Sequence, residues 1–102
     1  MAGAAAGFAR ELPPPLELEC LKTLWLLGQG SVRQVQSSLT PQRQLAYTTV
    51  MTVMDRLARR GCVRREKAGR SFVYTPLLTI DAVRKLAVQD LVHTLFDGSE
   101  DS

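Results

Sequence analysis

Apolar residues recur at helical spacing through the first sixty positions, and then the period changes. Leu18, Leu21, Leu24 and Trp25 fall on one stripe of a helix expected over about residues 16–27, with Cys20 and Leu27 at its margins. The Pro13-Pro14-Pro15 run leads into it, because a proline at a helix start lacks an N–H that would be unpaired there anyway. Gly28 and Gly30 are read as its end. Ser31 opens a second helix, and Gln34 three residues on completes a capping box. Val32, Val35 and Leu39 form its narrow apolar face, and Thr40-Pro41 breaks it, since proline disfavours helical geometry in the residue before it. A third helix is predicted over about residues 47–60. Its inward stripe is Val50, Val53, Met54, Leu57 and Ala58. Thr48, Thr52, Asp55 and Arg59 centre the opposite face, with Thr49 and Arg56 along one edge. Arg59-Arg60 suits the helix dipole, and Gly61 supplies a left-handed stop.

Beyond Gly61 the alternation becomes strand-like. Cys62-Val63-Arg64-Arg65-Glu66 and Ser71-Phe72-Val73-Tyr74-Thr75 flank Lys67-Ala68-Gly69-Arg70, which predicts a hairpin with a basic tip closed by Pro76. Phe72 and Tyr74 share one strand face and are read as packing residues. A last helix starts at Thr79, a good N-cap, and is expected to run to about Phe96, where Asp97-Gly98-Ser99 ends it. Its apolar positions cover far more than one stripe, so a second face is expected to meet another element or another subunit.

Three helices followed by a basic hairpin is the order of a winged helix-turn-helix, here with an added C-terminal helix: a mainly α fold with a small β-hairpin, in the α+β class. The expected organisation is a disordered arm over residues 1–14 and a winged-helix domain over 15–76. A dimerisation helix over 77–97 and a disordered tail over 98–102 complete it. Within 102 residues there is room for one such domain. The small, Ala/Gly-rich opening from Met1 to Gly7 lacks the basic start and apolar run of a signal peptide. No apolar run reaches the roughly eighteen residues of a membrane span.

Charge sharpens the picture once it is divided along the chain. The net value is only +3. Yet the stretch from Arg43 to Arg70 holds eight basic residues against two acidic ones, a balance of +6, which leaves five against eight, or −3, elsewhere. A concentration of that kind favours a polyanion. Cys20 and Cys62 lie far apart in apolar stretches with a single histidine, His93, which is neither a metal-ligand pattern nor a disulfide framework. Both are read as core thiols, which suits a reducing, cytoplasmic setting. No metal and no cofactor is expected. His93 on a mostly apolar helix, with no nucleophile signature beside it, offers no catalytic centre.

In a winged helix the third helix enters the major groove of double-stranded DNA. Tyr47, Thr48, Thr49 and Thr52 stand at its start; threonines are short enough for close approach, their hydroxyls bond phosphates or base edges, and their methyls pack on thymine methyls. Arg56 and Arg59 reach phosphate or guanine from the same helix, Arg43 from the segment before it, and Arg65, Lys67 and Arg70 from the hairpin. Asp55 is discordant on such a face. It either pairs with Arg59 one turn on or accepts from a cytosine amino group. On the last helix Val83, Leu86, Ala87, Leu91 and Leu95 are the candidate dimerisation residues.

The string from Leu45-Ala46-Tyr47-Thr48-Thr49-Val50 through Met54-Asp55-Arg56-Leu57, then Arg60-Gly61, then Gly69-Arg70-Ser71-Phe72-Val73-Tyr74-Thr75-Pro76, resembles the penicillinase-repressor family of BlaI/MecI/CopY-type regulators. Leu18-Glu19, Leu24-Trp25 and Gly30-Ser31-Val32-Arg33-Gln34-Val35 resemble the same family's first two helices. The resemblance implies a repressor that binds a dyad operator as a homodimer through contacts beyond the wing. It also implies a membrane-bound sensor protease as a partner, since members commonly act beside one. Members usually carry further dimerisation helices past the point matching Ser102, and the paired cysteines of the copper-responsive branch have no counterpart, so copper sensing is not expected. The competing reading is a winged-helix module that docks another protein through its last helix without reading DNA; the concentrated basic segment weighs against it. An enzyme has no residues here to build on.

Overall fold

A computed structural model describes residues 11–39 and 43–101, with side chains described as far as Phe96. The expected arm at residues 1–10 and the expected break at Thr40-Pro41 lie outside the described residues. The element order is α1 (Pro15–Leu27), α2 (Val32–Ser38), α3 (Tyr47–Arg59), β1 (Val63–Ala68), β2 (Ser71–Pro76) and α4 (Ile80–Asp101). This is the predicted fold class: helices with one antiparallel hairpin.

Cys20, Leu21 and Leu24 of α1 are fully buried against Val35 of α2 and Val50, Met54 and Leu57 of α3, so the three helices share one core. The stripe of α1 is therefore rotated from the predicted one. Cys20 sits at its centre, whereas Leu27 is exposed and Leu18 only partly covered. Rotation brings Glu17 inward: it is 3 % exposed, and its Oε1 lies 3.5 Å from Arg60 Nη1, an ion pair without a well-aligned hydrogen bond. Leu12 packs on the core and Pro13 is buried, so the expected free arm is anchored over residues 11–14. Trp25 is a core-edge residue as expected, its indole N–H donating to the Leu78 carbonyl at 2.9 Å and tying α1 to the approach of α4.

The capping box forms as predicted. Gln34 N–H donates to Ser31 Oγ at 3.1 Å, and Ser31 N–H to Gln34 Oε1 at 2.8 Å. Gly28 (φ 87°) is the stop of α1, and its N–H donates to the Leu24 carbonyl at 2.7 Å. Gly30 has a different task from the stop expected of it: its backbone exchanges two hydrogen bonds with Tyr74, at 3.0 and 2.8 Å, and so adds a one-residue third strand to the hairpin. β1 starts one residue and ends two residues later than expected, whereas β2 starts at Ser71 as expected and ends one residue later, with Ala68 opposite Ser71. Gly69 (φ 65°) leads a two-residue turn, the position a II′ turn reserves for glycine.

The last helix begins as predicted, with Ala82 N–H donating to the Thr79 hydroxyl at 3.1 Å. It does not end at Asp97-Gly98-Ser99 but continues to Asp101, because glycine stops a helix only by turning left-handed and otherwise costs about 1 kcal/mol inside one. Among the described residues no helix is long and apolar enough to cross a membrane, and no group of acidic, His and Cys side chains could hold a metal ion.

Candidate nucleic-acid interface

The site is built on α3, whose inner stripe is held rigidly in the core. Val50, Val53, Met54 and Leu57 are buried, as the wheel predicts, and this fixes which residues look outward. Thr48, Thr52, Arg56 and Arg59 are exposed, with Thr49 and Asp55 partly so. The helix starts on Ala46, whose side chain cannot cap it. The first N–H groups therefore have no side-chain acceptor and point, with the positive end of the helix dipole, into solvent. That is the arrangement that receives a phosphate. The Thr52 hydroxyl donates to the Thr48 carbonyl at 3.0 Å, which leaves its oxygen lone pairs to accept from outside.

Between α3 and the hairpin lies an open cleft of about 610 Å³. Of the predicted residues it gathers Tyr47, Thr52, Arg65 and Arg70. Thr48, Thr49 and Arg56 line a shallower depression of about 320 Å³ on the other flank of the helix, with Thr52 common to both. Strand alternation sorts the wing: Arg65 and Lys67, opposite Tyr74 and Phe72, share the face toward α3, while Arg64 and Glu66 pair with each other at 3.5 Å on the far side. Arg59 lies outside both depressions, held by Asp55 at 3.0 Å, and Arg43 is exposed ahead of α3 and lines neither.

Asp55 is the electrostatic hinge of this surface. Its Oδ2 meets Arg59 Nε at 3.0 Å within the helix, and its Oδ1 meets Arg65 Nη1 of β1 at 3.6 Å. The Arg65 guanidinium also lies 4.5 Å from the centroid of the Phe72 ring, so Phe72, 40 % exposed, serves the basic face rather than the core. Tyr74, by contrast, is buried as expected.

Two contributors escaped the sequence reading. Arg33 of α2 stands 5.1 Å over the Tyr47 ring and lines the cleft, and Met51 is exposed on its floor. The only sequence signal for Arg33 is its place at the start of a helix that precedes the reading helix, where the chain crosses a DNA backbone. For the last helix one correction is needed. Val83 is buried in the chain's own core and Leu86 is partly buried against it, whereas Ala87, Leu91 and Leu95 are exposed.

Comparison with known proteins agrees with this architecture. A family model described as penicillinase repressor matches residues 14–102. The chain is 41 % identical over 63 residues to the transcriptional regulator BlaI of Mycobacterium tuberculosis, an overlap of 61 % of this chain and 46 % of that protein. It is 26 % identical over 86 residues to the penicillinase repressor of Bacillus licheniformis, covering 84 % of this chain and 67 % of that one. It thus spans about half the length of the mycobacterial relative and two thirds of the other. The solution structure of the DNA-binding domain of the repressor BlaI superimposes with a TM-score of 0.64 at 27 % identity, over 74 % of this chain and 92 % of that domain. A winged helix matched along nearly its whole length by that family model identifies the chain as a member of the penicillinase repressor family.

Proposed function

We propose that this protein is a sequence-specific DNA-binding transcriptional repressor that acts in the cytoplasm as a homodimer on a dyad operator. The observation that carries the reading is convergence. Tyr47 at the uncapped start of α3, the Thr52 hydroxyl and the wing's Arg65 and Arg70 line one cleft, and Thr52 joins it to the depression that holds Thr48 and Thr49 on the other flank of the helix. The helix sits in the major groove, where Thr48, Thr49 and Thr52 meet base edges, and the wing arginines and Lys67 meet flanking phosphates. Arg33 and Arg56 extend the basic surface on either side of the helix. By family resemblance, a membrane-bound sensor protease is a further partner.

Selecting from a randomised duplex library and measuring the winners by fluorescence anisotropy tests the reading. A palindrome with half-sites about one helical turn apart, roughly 34 Å, is the expected product. Thr52→Ala then weakens the selected duplex by about five- to tenfold and random duplex hardly at all, as the loss of a base contact worth about 1 kcal/mol requires. Lys67→Ala weakens both and flattens the salt slope by about one. No enrichment from the library, or equal losses on both duplexes for Thr52→Ala, overturns sequence reading.

A further inference from the structure

Asp55 stands in the middle of a surface otherwise arranged for an anion, and its two carboxylate oxygens go to different elements: Oδ2 to Arg59 of α3 at 3.0 Å, Oδ1 to Arg65 of β1 at 3.6 Å. Arg65 is gripped from a second side by the Phe72 ring, at 4.5 Å. We infer that Asp55 is a specificity-determining residue, a built-in competitor that withholds Arg59 and Arg65 from phosphate until a duplex seats fully in the groove. The inference rests on the DNA-binding reading above.

The physical case is direct. A duplex of any sequence gains affinity from each arginine that replaces a condensed counterion. An arginine already paired with a carboxylate gives less of that gain, because phosphate must displace the existing partner. The carboxylate itself repels the backbone in every register. Both effects fall hardest on loosely docked, sequence-independent complexes, which have nothing but phosphate contacts to live on. A correctly seated complex has base contacts to offset the exchange. Asp55 thereby widens the gap between the selected site and the bulk of DNA. The pairing across to β1 also holds the wing against the reading helix, so that both approach the duplex as one body.

The test uses the full chain and a random-sequence 30-base-pair duplex, with affinities taken across a salt series. Asp55→Asn keeps the shape and removes the charge. It tightens random-duplex binding at 0.1 M salt by about tenfold, and steepens the plot of log affinity against log salt by about 0.9 for each arginine released. On a library-selected duplex the gain is smaller, so the ratio between the two falls. Arg65→Gln in the otherwise unchanged chain provides an independent arm. It alters the random-duplex slope by much less than Lys67→Gln, which flattens it by about one, because Arg65 is already engaged by the carboxylate. Random-duplex affinity of Asp55→Asn within twofold of the parent, or an Arg65→Gln slope change as large as that of Lys67→Gln, overturns the inference. Failure of the parent chain to retain any duplex at low salt is a different result and sinks the DNA-binding reading itself.

Discussion

Cys20 and Cys62 are the residues where burial has its clearest chemical consequence. Both are fully buried. The Cys20 thiol is pushed from the usual 9.0 up to about 11, chiefly by burial, with the charges of Glu19 and Glu17 adding. Burial also raises Cys62, against the opposing pull of Arg60. A raised folded-state value means that the neutral thiol is favoured in the native protein. Its stabilisation is complete below pH 9 and is lost as pH rises from about 9 towards about 11, where the unfolded chain ionises first. Urea midpoints measured across that window therefore fall more steeply for the parent chain than for Cys20→Ala; parallel profiles would refute the assignment. Most outward residues on α3 were legible in the sequence, because a 3.6-residue period with a strongly apolar stripe leaves little choice of face. Glu17, Arg33 and Phe72 were not. Glu17 and Arg33 owe their positions to partners remote in sequence, Arg60 and Tyr47, which no local pattern encodes, and Phe72 to the exact register of the hairpin, which sets it diagonally across from Arg65.

At the level of elements, most local signals hold, the Asp97-Gly98-Ser99 stop excepted, whereas links between distant residues leave none. The Ser31–Gln34 box, the Thr79 cap and the left-handed Gly61 (φ 79°) are decided within a few residues and appear where the sequence placed them. Gly30 reads locally as a helix stop because its link to Tyr74, forty-four positions on, leaves no local trace. The same link gives the capping box a role in the site. Ser31 both starts α2, which carries Arg33, and follows the residue that anchors the wing. Ser31→Ala is expected to lower stability by about 1 kcal/mol, read as a shift in urea midpoint with an unchanged slope. An unaltered midpoint would mean that α2 is held by its buried Val32 and Val35 alone.

On the scale of the whole molecule, α4 is the element least covered by the rest of the chain. Twenty-two residues make a helix about 33 Å long, and only its first turns rest on the core. Farther along, Val88 is 59 %, Leu91 58 % and Phe96 64 % exposed. Leu91 and Val92 each lie three or four residues from Val88 and from Leu95, which places all four on one stripe, distinct from the Val83–Leu86 edge that faces the core. A continuous apolar stripe is costly to leave wet, and pairing with the same stripe of a second copy removes it from water by an isologous contact. A palindromic site is read by two reading helices only if the subunits are joined. Leu91→Glu should therefore shift the sedimentation coefficient from dimer to monomer at micromolar concentration. It should weaken a library-selected palindrome by a hundredfold or more, through loss of the linked second half-site, while leaving the melting of the winged-helix core and the affinity per subunit for random duplex close to the parent. A variant that remains dimeric, or a parent chain that sediments as a monomer throughout, would show that this stripe is not the joint between subunits.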